Sequence, residues 1–243
     1  MQERSSTADS RMTAIEENLK QIRANIAAAA ERAGRKSSDI RLMAVTKTVP
    51  AQYINHAIAL GIDCIGENRV QEFLSKEPEL ALDGVEKHII GHLQTNKVKY
   101  IVGKVDMIES VDSVRLAKEI SDRSEKLKIV TDILVEVNVG AEESKSGILK
   151  EEAEALISEI ADFPGISVCG LMTIPPFDAD EEKTRHYFKE IYKLFIDIRE
   201  KNKDNSNVKM RYLSMGMSGD YETAIEEGAN IVRIGSALFG ARK

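Results

Sequence analysis

The strongest constraint on the fold of this chain is a repeated alternation between two kinds of segment. Short apolar runs rich in β-branched residues predict strands at 41–45, 62–65, 88–90, 107–110, 133–139, 166–172, 210–214 and 231–234. Apolar residues at helical spacing predict helices at 11–33, 51–60, 68–75, 95–103, 113–127, 150–161, 181–200 and 220–227. Strands separated by helices pair in parallel through crossover connections.

Eight strand–helix units preceded by a helix predict an α/β fold, a single (β/α)8 TIM barrel with an N-terminal helix. The length of 243 residues agrees, because such barrels typically take about 250. We expect one domain over residues 11–243 and a disordered or frayed segment over residues 1–10. The alternative is an open doubly wound sheet, but the first strand lacks the GxGxxG motif of a dinucleotide-binding fold.

Composition argues against several classes of partner. The 34 Lys and Arg residues are interspersed with 40 Asp and Glu and form no basic stripe, so we expect no nucleic acid partner. No uncharged apolar run reaches 18 residues and the N-terminus has no apolar signal-peptide core, so we expect no membrane association. Cys64 and Cys169 lie far apart without a CxxC motif, which is typical of core residues in a reducing compartment. We expect a cytoplasmic protein and a monomer.

The carboxyl ends of the strands mark the face of a barrel where active sites lie. Lys47 ends the first apolar run and is followed by Pro50. A lysine at a strand end often does no more than extend its charge into water. Here, however, polar residues also follow the other strands, among them Glu67, Asn68, His92, Gln94, Ser110, Asn138, Thr173 and Arg233.

Two loops rich in glycine and serine follow the last two strands, at 214–224 and 233–240. Barrels commonly bind phosphate at this position. Backbone N–H groups near Gly216, Gly219 and Gly235 can approach an anion closely, and the hydroxyl groups of Ser218 and Ser236 can add donors. The alternative is that these glycines only allow the chain to turn.

Two further motifs do not fit the chemistry that they suggest. The segment 140–147, GAEESKSG, has Ser144 where a P-loop needs glycine before its Lys-Ser pair, and its glutamates would repel phosphate. His88 and His92 have the spacing of metal ligands on a helix, but HIIGH predicts a strand followed by a turn. We therefore expect neither a P-loop nucleotide site nor a metal.

A lysine and a phosphate site at one barrel mouth indicate a phosphorylated aldehyde as the ligand, because a lysine amine condenses with an aldehyde. Pyridoxal 5′-phosphate (PLP) is the obvious candidate, and a neighbouring cation such as Arg233 would favour the neutral, reactive amine. A Schiff-base aldolase acting on a phosphorylated sugar would share both features. We would expect its lysine on a later strand.

Several long motifs in this order resemble the pyridoxal phosphate homeostasis protein family, which is similar to the N-terminal barrel domain of alanine racemase. They are AVTKTVP, GENRVQE, HIIGHLQTNKVK, VNVGAEESKSG, GLMTIPP, LSMGMSGDYETAIEEGA and VRIGSALFG. The resemblance implies a Schiff base between PLP and Lys47, and a phosphate held by Ser218, Gly235 and Ser236. It also implies that Arg233 faces the pyridine nitrogen and that Asn68 lines the pocket.

The function that this resemblance implies is PLP homeostasis, with storage and delivery of the vitamin B6 cofactor to recipient apoenzymes and an effect on amino-acid and keto-acid balance. The alternative is an amino-acid racemase-like enzyme. Racemisation needs an acid/base group on each side of one carbon, and Lys47 supplies only one. Among the six tyrosines, the sequence singles out Tyr221 as the one near the phosphate loop. We therefore expect no catalytic residues and no dedicated turnover.

Overall fold

The strands of this protein form one closed parallel barrel in a computed structural model that describes residues 2–142 and 145–240. Neighbours along the chain pair with each other, and the first strand pairs with the last. This confirms the (β/α)8 barrel and excludes the open sheet. The strands are β1 (Arg41–Val45), β2 (Cys64–Glu67), β3 (Glu86–Ile89), β4 (Met107–Val111), β5 (Thr131–Val137), β6 (Ile166–Thr173), β7 (Val208–Ser214) and β8 (Ile231–Ile234).

Helices connect the strands and cover the outside of the barrel. They are α1 (Gln2–Arg32), α2 (Ala51–Ala59), α3 (Val70–Lys76), α4 (Val98–Ile101), α5 (Val114–Leu127), α6 (Ala153–Ile160), α7 (Glu181–Lys201), α8 (Tyr221–Glu226) and α9 (Ser236–Phe239). Within residues 2–142 and 145–240, no helix combines the length and the apolar character that a bilayer-spanning segment requires.

Helix α1 begins at Gln2, so its bounds include residues 2–10, for which the sequence predicted a frayed segment. Its buried residues Ile15, Leu19, Ile22 and Ile26 form the predicted apolar stripe. The polar residues before this stripe continue the helix because they have no proline and their backbone can keep the helical hydrogen bonds. The side chain of Asn18 donates to the carbonyl oxygen of Leu238 at 3.1 Å, which ties α1 to α9.

Side chains on each strand alternate between the main core and the inside of the barrel. Ala44 belongs to the core between strands and helices, whereas Met43 and Val45 belong to a separate cluster with Cys64, Ile90 and Ile231. A second interior cluster contains Met107, Leu134, Cys169 and Met172. The buried polar side chains at the same alternate positions are His88, Glu109, Glu136, Ser214 and Arg233. The barrel interior is therefore partly polar.

Candidate functional site

Lys47 lies two residues beyond the end of β1, at the carboxyl face of the barrel. The backbone ladder with β2 continues past the strand, because the N–H of Thr46 donates to the carbonyl oxygen of Gly66 at 2.9 Å. Since Met43 and Val45 point into the barrel, the same alternation places half-buried Lys47 on the inner side of the mouth. The register Val45 opposite Gly66, continued by two residues, brings Asn68 beside it.

The turn that carries Lys47 is held from behind by a cluster of charged residues. Lys76 donates to the carbonyl oxygen of Thr46 at 2.8 Å, to Glu67 at 2.8 Å and to Glu72 at 2.6 Å. Glu72 in turn accepts the N–H of Thr48, whose φ of 61° is unusual for a residue with a side chain. Residues on both sides of Lys47 are thus fixed by one lysine and one glutamate.

Lys47 opens into a pocket of about 560 Å³ between the barrel mouth and the N-terminal helix. Gly235 and Ser236 line the same pocket, as the sequence predicted for neighbouring strand ends. Tyr53 of α2 and residues of α1, namely Ser10, Arg11, Ala14, Ile15 and Asn18, line it too. The sequence did not predict these, because the position of the first part of α1 beside Lys47 depends on tertiary contacts.

The loops after β7 and β8 meet at Ser218. Its hydroxyl oxygen accepts hydrogen bonds from the backbone N–H of Gly235 at 3.3 Å and of Ala237 at 3.2 Å. The two loops therefore converge on one oxygen atom, close to Lys47 through the pocket that Gly235 shares with it. From the sequence we expected the Ser218 hydroxyl to donate to an anion, whereas here it accepts from the backbone N–H groups of the neighbouring loop. The anion site itself stays a prediction.

The glycines of these loops have different roles. Gly216 has a φ of 92°, and a Cβ there would lie 2.5 Å from the Cβ of Ala224, so the fold itself requires glycine. A Cβ at Gly235 would make only an ordinary contact, 3.4 Å from the Cβ of Val45. The alternative that glycine only serves the turn thus holds for Gly216, and it does not account for Gly235.

Arg233 lies inside the barrel, below Gly235 on β8, and is 3% exposed. Its guanidinium donates to the hydroxyl oxygen of Ser214 at 2.7 Å and to the carbonyl oxygen of Thr173 at 2.8 Å. Burial lowers the pKa of Arg233, and the carboxylates of Glu109, Asp220 and Glu136 oppose that shift. Arg233 and Asn68 do not line the pocket that contains Lys47, so the predicted residues fall into two neighbouring groups.

Two polar atoms near the mouth are buried without a hydrogen-bond partner. One is Oδ1 of Asn68, whose backbone packs against Gly91. The other is Oε2 of Glu136, a residue on β5 that the sequence analysis missed. Burial, together with the charges of Asp112 and Glu109, raises the pKa of Glu136 to about 7 despite the opposing effect of Arg233. The available signal was one glutamate between Val135 and Val137, within the apolar run 133–137.

The tyrosine that shares a pocket with Lys47 differs from the one that the sequence indicated. The hydroxyl of Tyr221 accepts a hydrogen bond from Asn25 of α1 at 2.9 Å, on the outside of the barrel. Tyr53 lies in the pocket with Lys47. The expectation that Tyr221 is the tyrosine near Lys47 was therefore wrong, because α1 covers α8, the helix after the Gly/Ser loop that follows β7.

Of the two motifs set aside in the sequence, the structure explains the histidine pair. His88 lies in β3 with its side chain buried, whereas His92 lies beyond the strand and is exposed. Among the described residues, no group of three His, Cys, Asp or Glu side chains is placed to hold a metal ion. The P-loop-like segment 140–147 includes residues 143 and 144, which lie outside the described residues.

Comparisons with known proteins agree over nearly the whole chain. The family described as alanine racemase, N-terminal domain, matches residues 18–243. A pyridoxal phosphate homeostasis protein from Aquifex aeolicus is 47% identical over 227 residues, which is 93% of this chain and 98% of that protein. These matches have the level of identity at which the fold and the family are shared.

Solved structures show the same barrel. The crystal structure of an unknown protein from Bifidobacterium adolescentis has a TM-score of 0.88 and 38% identity, covering 95% of this chain and 96% of the other. The structure of PipY from Synechococcus elongatus with PLP bound has a TM-score of 0.80 and 29% identity, covering 93% of this chain and 100% of the other. The resemblance seen in the motifs is confirmed: this chain belongs to the family of pyridoxal phosphate homeostasis proteins, which share the fold of the N-terminal domain of alanine racemase.

Proposed function

We propose that this chain binds PLP through a Schiff base on Lys47 and acts in intracellular PLP homeostasis, holding the cofactor and delivering it to recipient apoenzymes. One observation carries the proposal: the strand-end lysine shares its pocket with Gly235 and Ser236, next to two N–H groups that converge on Ser218. The relatives named for PLP homeostasis, and the PLP bound to PipY, support it.

The phosphate end of the site fits PLP by its donors. The N–H groups of Gly235 and Ala237 already point at one oxygen, so a phosphate oxygen near Ser218 would accept from the same groups. Gly235 leaves room for that approach, because it has no Cβ and no protein atom fills the space that a Cβ would take. Ser236 is exposed on the pocket wall, where its hydroxyl can donate as well.

The ring end of the site fits PLP by charge and by its unsatisfied groups. When bound, PLP supplies an aldehyde for the lysine and a pyridine ring that withdraws electrons. Arg233 has only donors and keeps its proton, so it would leave a facing ring nitrogen unprotonated. That contact weakens electron withdrawal, which suits a carrier better than a catalyst. The orphaned Oδ1 of Asn68 is a buried acceptor that a ligand N–H or O–H can satisfy.

The second candidate function is a racemase-like enzyme, and the position of Tyr53 is the observation that favours it. Tyr53 and Lys47 line one pocket, so a second acid/base side chain lies in the same cavity as the lysine. Tyr53 is buried on α2, and Arg11 lies 4.2 Å above its ring. This contact packs the tyrosine against α1, and we propose that it stays a wall of the pocket and takes no part in turnover.

The test of PLP binding is to reduce the loaded protein with borohydride and to identify the labelled peptide by mass spectrometry. We expect a yellow protein whose label lies on Lys47 alone, and a colourless Lys47→Ala variant with unchanged circular dichroism. Lys118→Ala, which removes an exposed lysine on α5, is the matched control and should keep the colour. A label on another lysine, or colour retained by Lys47→Ala, would refute the proposed attachment.

A further inference from the structure

Behind Arg233 lies a continuous chain of buried hydrogen bonds that the proposed cofactor site does not use directly. The hydroxyl of Ser214 accepts from Arg233 at 2.7 Å and donates to Oε2 of Glu109 at 2.6 Å. The other carboxylate oxygen of Glu109 lies 2.7 Å from Nδ1 of His88. Side chains from β3, β4, β7 and β8 thus meet inside the barrel, and the side chains of His88 and Glu109 are fully buried.

The chain continues to the opposite face of the barrel. Nε2 of His88 lies 3.3 Å from Glu86, and Glu86 forms an ion pair with Arg41 at the start of β1. Arg41 and Glu86 are both partly exposed. The row of contacts therefore begins in solvent at the amino end of the strands and ends at Arg233, near the carboxyl end.

The charges in this row fit together. Burial disfavours a charged His88, but the neighbouring Cys64 and the carboxylates of Glu109 and Glu86 outweigh it, so the pKa of His88 is raised well above its usual value. Burial raises the pKa of the Cys64 thiol, whereas the charge of His88 lowers it, and the two carboxylates are the hydrogen-bond partners of the imidazole. Although burial opposes it, His88 lowers the pKa of Glu109, together with Arg233 and Ser214. His88 and Glu109 are therefore an internal ion pair.

We propose that His88 and Glu109 are positioning residues for Arg233 and act on it through Ser214. A carboxylate bound directly to the guanidinium would neutralise it, whereas the intervening hydroxyl fixes its direction and leaves most of its charge for a ligand. Thr173 contributes a second neutral oxygen. This inference rests on the proposed function, in which Arg233 faces the ring nitrogen of PLP.

The test compares PLP with an analogue that has carbon in place of the ring nitrogen, because only PLP offers Arg233 an acceptor. Equilibrium dialysis with the full chain gives the ratio of the two dissociation constants. We expect the wild type to prefer PLP, and Ser214→Ala and Glu109→Gln to reduce that preference by about tenfold. A purely structural role would weaken both ligands equally and leave the ratio unchanged.

Two variants serve as controls. Ser214→Thr keeps the hydroxyl and should keep the preference, and His92→Gln, which removes the exposed histidine, should change neither constant. An unchanged ratio in both Ser214→Ala and Glu109→Gln would overturn the positioning role alone. A wild type that binds neither ligand would overturn the proposed function, and this inference with it.

A second measurement uses the wild-type chain without PLP, so it needs neither the cofactor nor a variant that folds correctly. Nitrogen NMR of the imidazole groups in the wild-type chain should show both ring nitrogens of His88 protonated, with no titration between about pH 6 and 8. His92, which is exposed, is the internal reference. Titration of His88 near its ordinary pKa would show that the ion pair does not form, and would overturn the inference.

Discussion

At the scale of single residues, Glu136 is a carboxyl group whose surroundings disfavour its charge. It points into the barrel from β5, is 7% exposed and has one oxygen without a partner. Its pKa, raised from 4.5 to about 7, means that the folded chain holds this proton more tightly than the unfolded chain does. Between these two values the folded state binds more protons, so this carboxyl makes the fold less stable as the pH rises toward about 7.

We predict that Glu136→Gln stabilises the cofactor-free protein at pH 8 more than at pH 5. The difference between about 7 and 4.5 corresponds to roughly 3 kcal/mol of unfolding free energy at full ionisation, and the amide avoids that cost. Urea unfolding of both proteins at the two pH values measures it. Glu159→Gln, on an exposed position of α6, is the control and should show no such dependence. An equal effect at both values would contradict the raised pKa.

The sequence alone could predict that residues at strand ends and in the Gly/Ser loops lie on one face of the molecule, because the barrel brings all carboxyl ends of its strands to that face. Lys47, Ser218, Gly235 and Ser236 belong to this class. Glu109, Glu136 and Tyr53 could not be assigned a place, because their surroundings depend on side chains from several strands and helices that are distant in the sequence. Local pattern gives the position of a residue along a strand, and three-dimensional packing gives its neighbours.

At the scale of elements, the turn between β1 and α2 depends on α3. Lys76, in the last turn of α3, donates to the backbone next to Lys47, to the buried side chain of Glu67 and to the half-buried side chain of Glu72. Burial raises the pKa of Glu67, although Lys76 and Thr46 act in the opposite direction. The geometry of the lysine turn is therefore coupled to the ionisation of a glutamate behind it.

We predict that Lys76→Met lowers the free energy of unfolding by about 3 kcal/mol, because it leaves Glu67 buried without its cation. The double variant Lys76→Met/Glu67→Gln should lose less than the single variant, since the uncompensated charge is gone. Denaturant unfolding of the wild type, both single variants and the double variant measures this coupling. Losses that simply add would contradict a direct interaction between the two side chains.

Element order could be predicted well from the alternation of patterns, while the ends of elements could not. Strand β3 begins at Glu86, two residues before the predicted 88–90, and includes the polar residues Glu86 and Lys87. They belong to the strand because their backbone pairs with Cys64 and Ile65 of β2, and apolar character did not reveal this. The same reason applies to β2, which ends at Glu67 where the sequence predicted 62–65.

At the scale of the whole molecule, we predict no appreciable racemase activity. Racemisation needs a proton-transferring group on each side of the α-carbon. In the proposed function Tyr53 lines the pocket without transferring a proton, and Tyr221 bonds to Asn25 outside the pocket, so only Lys47 supplies such a group. The measurement is deuterium incorporation at the α-carbon of L-alanine, and formation of the D-isomer, with PLP-loaded protein in deuterated water. Steady turnover lost in both Lys47→Ala and Tyr53→Phe would contradict the prediction and support the enzyme.

The pairing of β1 with β8 closes the barrel, and α1 packs on α9. Both contacts join the first part of the chain to a part that is synthesised much later. Gly235 is added to the growing chain 188 residues after Lys47 (235 − 47), which takes roughly 10 to 40 s of synthesis. During that time the nascent chain carries the amine but lacks the N–H groups of Gly235 and Ala237 that the proposed phosphate site needs. Under the proposed function, the chain would therefore gain the ability to bind PLP only once β8 and the loop after it have been made, in the same step that closes the barrel.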